Sequence, residues 1–193
     1  PHFSPWCKVN LQWSTPTVID KDGCFTIGTS QISNELYRID DGYPDGEYLL
    51  IENRQATGFD RNIPQGGLLI YHIDETAVYH EQGHPGQMGW PENGNHYRVA
   101  LLQADGEYHL ERLGNDMGNH GDGGDPFHAG GVHDLFAGPN VFPNTDAYQG
   151  GVIVQNGNRI YDVSPSGETM SFCVDLGSWE APDLQLGALS VTP

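Results

Sequence analysis

Basic side chains are scarce: 8 Lys and Arg stand against 26 Asp and Glu, for a formal net charge of −18. So acidic a chain repels polyanions, which argues against nucleic acid and anionic membrane surfaces as partners. Long apolar runs are missing too. Nothing approaches the roughly 18 consecutive apolar residues of a membrane span, and the start of the chain lacks a signal-peptide pattern. Cysteine is sparse: Cys7, Cys24 and Cys173 lie far apart without CxxC spacing, so a zinc knuckle or thioredoxin-type motif is not supported. Helical periodicity is equally thin, with "DETAVYHEQ" and "GEYHLERL" reading as about two turns each.

What is present are short β-forming runs punctuated by Gly, Pro, Asn and Asp. "CFTIGT", "ELYRI", "EYLLIENR", "GGLLIYHID", "HYRVALLQ", "GVIVQ", "RIYDVS" and "TMSFCVDL" predict a mainly β protein with a few short helices. The 193 residues suffice for one cored domain. Residues 1–177 read as that domain, and 178–193, where Pro182 precedes the alternating Asp183-Leu184-Gln185-Leu186, as a linker into the first strand of a following β-sandwich. A start at Pro1 without Met suggests processing or a longer parent chain. Cys24 and Cys173 both fall in strand-like runs and are the expected disulfide pair if the compartment is oxidising; three buried thiols are the open alternative.

Two stretches, residues 80–96 and 114–150, show little regular pattern, and loops that long are usually functional or ion-stabilised. The first contains His80-Glu81-Gln82-Gly83-His84, an HExxH match. In a zinc protease that motif works because both His lie one helical turn apart on one face while the Glu acts as general base. Here Gly83 interrupts the motif and Pro85 disfavours helical geometry at His84, so the match is read as coincidental. Glu92 or His96 as a third ligand adds little in a chain with 9 His.

The second stretch holds "GNDMGNHGDGGDPF", where Asp116, Asn119, Asp122 and Asp125 recur every three residues among Gly. Oxygen ligands on a flexible backbone suit Ca²⁺. The spacing is neither an EF-hand nor a nonapeptide repeat, so a turn-rich polar loop remains open; Asp105 and Asp74 are additional candidate ligands. In "GLLIYHIDE", strand alternation puts Leu68, Ile70, His72 and Asp74 on one face and Leu69, Tyr71 and Ile73 on the other. His72 and Asp74 read as an internally paired polar couple, with Glu52, Asn53 and Arg54 as candidate partners. Trp6, Trp13, Trp90 and Tyr97 are scattered and read as core or core edge.

Taken in order, several elements resemble the immune inhibitor A-type secreted zinc metallopeptidases. "PWCKVNLQW" is similar to the family's Trp-x-Lys-x-x-x-Gly-Trp element, with Gln12 standing where Gly is expected. The Glu-Asn-Arg-Gln strand, the Gly-Leu-Leu-Ile-aromatic-His-Ile-Asp strand, "LLQADG", "GDGGDPF" and "FPN" follow, so the resemblance spans Pro5 to Leu176. It implies that the zinc-binding helix lies upstream of Pro1 and that this chain is the carboxy-terminal subdomain of a zincin-like peptidase domain, with no catalytic residue of its own. It also favours calcium in the Asp-rich loop, a secreted location, zinc only in the upstream segment, and an upstream zinc-binding subdomain and a downstream β-sandwich as partners. The alternative is a non-catalytic structural module of an extracellular assembly or fibre from the same family, in which self-assembly is open.

Overall fold

The computed structural model describes residues 2–77, 83–85, 87–91, 96–112, 118–138 and 141–177. Its elements are a short helix α1 (Pro5–Asn10), two single-turn 3-10 helices (Gly58–Asp60 and Gln149–Gly151) and nine strands: β1 (Thr17–Val18), β2 (Gly23–Gly28), β3 (Tyr37–Ile39), β4 (Glu47–Arg54), β5 (Gly67–Asp74), β6 (Val99–Leu101), β7 (Leu135–Phe136), β8 (Arg159–Tyr161) and β9 (Thr169–Asp175). The protein is mainly β, as its short strand-forming runs predict. One sheet runs β1-β3-β4-β5-β6 and the other β2-β9-β8-β7. All pairings are antiparallel except β1 with β3. Among the described residues no helix is long and apolar enough to cross a membrane.

Alternation along each strand decides what meets what. Leu49 and Ile51 of β4 and Leu68 and Ile70 of β5 join Ile27, Ile160, Met170, Phe172 and Val174 of the second sheet in the main core. The opposite face of β4 and β5, with Tyr48, Leu50, Leu69, Tyr71 and Ile73, forms a smaller core against Trp6, Val99 and Leu101. Every residue of β4 and β5 is therefore buried, which is why both read as near-continuous apolar runs. β9 is covered on one face only, and "TMSFCVD" alternates accordingly.

Cys24 and Cys173 sit directly opposite each other in the β2–β9 register and are disulfide-bonded, leaving Cys7 free and half-buried. Three local expectations fail. "GVIVQ" is not a strand: Val152, Ile153 and Val154 are exposed, and only Val154 bridges, to Ala147. "GEYHLERL" makes turns instead of helix through its described residues, and "DETAVYHEQ" turns over its described part. α1, by contrast, carries no periodic signal because it has only six residues. Its ends are nonetheless well marked. The Ser4 side chain accepts from the Cys7 N–H with Pro5 opening the helix. At the other end the Gln12 N–H donates to the Val9 carbonyl and the Trp13 N–H to the Lys8 carbonyl, a Schellman closure. Gln12 adopts the left-handed φ of 58° that this closure demands, so the Gly expected there has a conformational reason.

Candidate metal centre

The antiparallel pairing of β4 with β5 sets the first polar cluster. The end of one strand meets the start of the other, so Asp74 lies opposite Glu47 and His72 opposite Leu49. The partners of His72 and Asp74 are therefore not the expected Glu52, Asn53 and Arg54. Glu52 and Arg54 point to the other face, where buried Glu52 binds Lys8 Nζ at 2.9 Å and Arg54 Nη2 at 2.5 Å. Asn53 shares the face of His72 but lies at the far end, donating to the backbone of Ile27 and Gly167.

Glu47 instead places Oε1 2.8 Å from His72 Nε2 and accepts the backbone N–H groups of Tyr148 and Gln149. The His72 ring stacks on Tyr148 with centroids 4.0 Å apart, and neither ring nitrogen has an aligned hydrogen bond. Asp74 Oδ2 meets His96 Nε2 at 2.6 Å, while Oδ1 accepts from Thr76 and Gln149. Burial alone would raise the Asp74 pKa, but these hydrogen bonds prevail and hold it well below the usual carboxylate range. Asp74 is thus satisfied through both oxygens, whereas His72 is held by its stacking on Tyr148 and its approach to Glu47, and the cluster ties the 147–149 segment and His96 to the sheet.

The second cluster is of a different kind. Carboxylate oxygens of Asp105, Asp122 and Asp125 all lie within 4.8 Å of one another. The chain turns tightly enough to allow this because of its glycines. A Cβ on Gly124 would collide with the Asp105 carboxylate, and one on Gly121, whose φ is +97°, would press on Asp125. Backbone donors aim the carboxylates: Glu107 N–H to Asp105 Oδ1, Gly124 N–H to Asp122 Oδ1, and Asp122 N–H to Asp125 Oδ2.

Oδ1 of Asp125 is buried and has no partner. A carboxylate oxygen left bare inside a fold calls for an ion or a water. Burial, followed by the neighbouring Asp122 and Asp105 charges, raises the Asp125 pKa, whereas the Gly124 N–H and the Asn119 amide lower that of Asp122. A bound cation would relieve the repulsion that Asp125 carries.

Of the four residues expected to form this site, the structure brings Asp122 and Asp125 together with Asp105, and Asn119 lies beside them. Asn119 Oδ1 accepts the Gly121 N–H while Nδ2 donates to Asp122 Oδ2 at 2.9 Å, so Asn119 orients the Asp122 carboxylate. Asp116 lies outside the described residues. Asp74, the other additional candidate, is not in the grouping and is engaged by His96 and Thr76.

A neighbouring grouping of Glu107, His109 and Asp122 was not apparent from sequence, where "GEYHLERL" read as helix. Its spacing as an extended turn would have been the available signal. Both groupings draw on Asp122, so the donor atoms decide between cations. An all-oxygen set suits a hard ion such as Ca²⁺, and an imidazole suits a softer one.

Of the HEQGH motif, His80, Glu81 and Gln82 lie outside the described residues, as does Glu92. Gly83 to Pro85 are not helical, and His84 is stacked against Tyr108 at 5.6 Å. His96 is committed to Asp74. Comparison with family models, characterised proteins and solved structures returned no match.

Proposed function

We propose that this chain is a calcium-stabilised, β-rich module of a secreted protein, the carboxy-terminal part of a metallopeptidase-like domain, and that it performs no catalysis by itself. The observation that carries the calcium reading is the buried, partnerless Asp125 Oδ1 within the Asp105–Asp122–Asp125 grouping. The order of motifs from "PWCKVNLQW" to "FPN" supports the family. The disulfide between Cys24 and Cys173 supports an oxidising, extracellular setting. On this reading an upstream zinc-binding subdomain and a downstream β-sandwich are the partners within the parent chain, and zinc belongs upstream. A non-catalytic building block of an extracellular assembly is the second reading, favoured by the use of the His72 and Asp74 pairs to hold loops.

Equilibrium dialysis of the purified chain against calcium tests the first claim. One ion per chain, lost in Asp125→Asn, is the expected result, and a chain that retains no calcium overturns it.

A further inference from the structure

The Cys24–Cys173 bond lies outside the core. Along β9 the buried residues are Met170, Phe172 and Val174, so Cys173 stands on the outward face, and Cys24 across from it is exposed. The backbone fixes how the two meet. The Gly28 N–H donates outward to Glu35 and the Thr26 carbonyl accepts from the Tyr37 hydroxyl, while the Thr29 N–H turns inward to the Glu168 carbonyl. Cys24 shares the alternation of Thr26 and Gly28, so it faces Cys173 across a non-hydrogen-bonded pair, where opposite side chains approach most closely.

The two sulfurs differ in what stands behind them. A thiolate attacks a disulfide along the line of the S–S bond, from the side opposite the leaving sulfur. Here that bond runs from β9 to β2, the terminal strand of its sheet. The line beyond Cys24 leads off the sheet edge, which Glu35 and Tyr37 cover only further along, at Gly28 and Thr26. The line beyond Cys173 leads instead to β8, where Tyr161 is its register partner. That ring is anchored: its hydroxyl donates to Asp175 Oδ1 at 3.2 Å, and the Arg159 guanidinium lies 4.2 Å from its centroid. Cys173 is therefore screened and Cys24 is open.

β2 has other holds on the fold. It pairs with β9 from Gly23 to Gly28, Ile27 is in the main core, and the Phe25 ring packs 5.5 Å from Tyr37 and 5.9 Å from Phe172.

We propose that this bond is a redox switch worked in the folded state by small thiols, which enter at Cys24, and that its redox state sets the stability of the fold while leaving its architecture in place. The thiolate bonds to Cys24 Sγ, the Cys24–Cys173 bond breaks, and Cys173 leaves with the electron pair and takes a proton from water. A second thiolate attacks the small-molecule sulfur of the mixed disulfide, so that Cys24 is released and protonated in turn. Two thiols are oxidised to one disulfide and the protein disulfide is reduced to two thiols. The reduced chain loses the cross-link that restricts its unfolded state. None of this rests on the calcium reading.

The test uses the full chain carrying Cys7→Ser, which removes the free thiol and leaves only the bonded cysteines. Short pulses of 2-mercaptoethanol without denaturant are quenched with N-ethylmaleimide and mapped by peptide mass spectrometry. At the shortest pulses the mercaptoethanol adduct sits on Cys24 and the maleimide on Cys173, in about tenfold or greater excess over the reverse. In urea the preference disappears, because the fold creates it. Tyr161→Ala, at a half-buried position on the outward face, brings the two adducts toward equality. The fully reduced chain keeps the circular dichroism of the oxidised one and melts at a lower temperature. A folded chain inert to the thiol, adducts shared equally between the cysteines, a preference that survives urea or Tyr161→Ala, or loss of the β signal on reduction would each overturn the proposal.

Discussion

Stripping the cation from Asp105, Asp122 and Asp125 leaves three carboxylates within 4.8 Å of one another. At that separation each pair of charges repels by about 1 kcal/mol in water and by roughly 3 kcal/mol at the effective dielectric near a protein surface. Burial first, and these neighbouring charges after it, raise the Asp125 pKa. Free calcium at about 100 times its dissociation constant stabilises the folded state by about 2.7 kcal/mol. For a domain of this size each kcal/mol moves Tm by about 2–4 °C, so adding calcium should raise it by about 5–11 °C. Scanning calorimetry at pH 7.5 in excess calcium and in EGTA reads the difference directly. Asp125→Asn should abolish the shift while leaving the EGTA Tm unchanged or higher, because it removes one like charge at constant shape. That crossing of signs separates a ligand from a merely structural carboxylate, whose loss would lower Tm in both buffers. Wild-type transitions that coincide to within about 1 °C in calcium and EGTA would refute the argument.

Three further outcomes can be measured. The Cys24–Cys173 bond closes a loop of sequence separation 149, which by the chain-entropy relation restricts the unfolded state by about 5 kcal/mol. The double Cys24→Ser, Cys173→Ser variant should lose about 2–5 kcal/mol in urea unfolding, and a loss below about 1 kcal/mol would contradict that account. Asp146 is buried, accepts the Gly138 N–H through Oδ1, leaves Oδ2 without a partner, and has its pKa pushed up by burial to about 6. Its raised folded value means that the native state binds the extra proton. This residue's contribution is therefore undiminished below about pH 4, declines as pH rises from about 4 to 6, and is lost above. The penalty at neutral pH is at most about 3 kcal/mol. Asp146→Asn should accordingly be more stable than wild type at pH 7.5 by about 1–3 kcal/mol, with the advantage vanishing near pH 4; a pH-independent difference would defeat the assignment. Gln12→Gly relieves the left-handed φ of 58° at the end of α1 and should raise stability by roughly 0.5–1 kcal/mol, read as a shift of the urea midpoint; a lowered midpoint would show that Gln12 makes a compensating contact.

Much of the strand content was legible because its signals are local. "EYLLIENR" and "GLLIYHID" have strand length and apolar density, and they are β4 and β5. "GVIVQ" carries the same signal yet makes only one bridge, Val154 to Ala147, because pairing is decided by nonlocal contacts that the local signal does not contain. α1 was invisible to periodicity, being shorter than two full turns, although Ser4-Pro5 marks its start. In the Asp-rich loop the residue types pointed to oxygen ligation, but their regular spacing did not show that the Asn119 amide turns to Asp122. Regular spacing in an irregular loop does not bring side chains to one point.

The sequence by itself determined a mainly β chain with an acidic surface and an oxygen-rich glycine loop, because composition, strand alternation and turn chemistry act within a few residues of one another. It placed Cys24 and Cys173 in strands but left free thiols open, and the β2–β9 register is what joins them. Tertiary structure alone decided that His72 answers to Glu47 across two strands, that Asp74 is spent on His96, and that Asp105 joins Asp122 and Asp125 beside Arg54. Those choices depend on register and on loop closure over tens of residues, and only the packed sheets bring such distant groups within bonding distance.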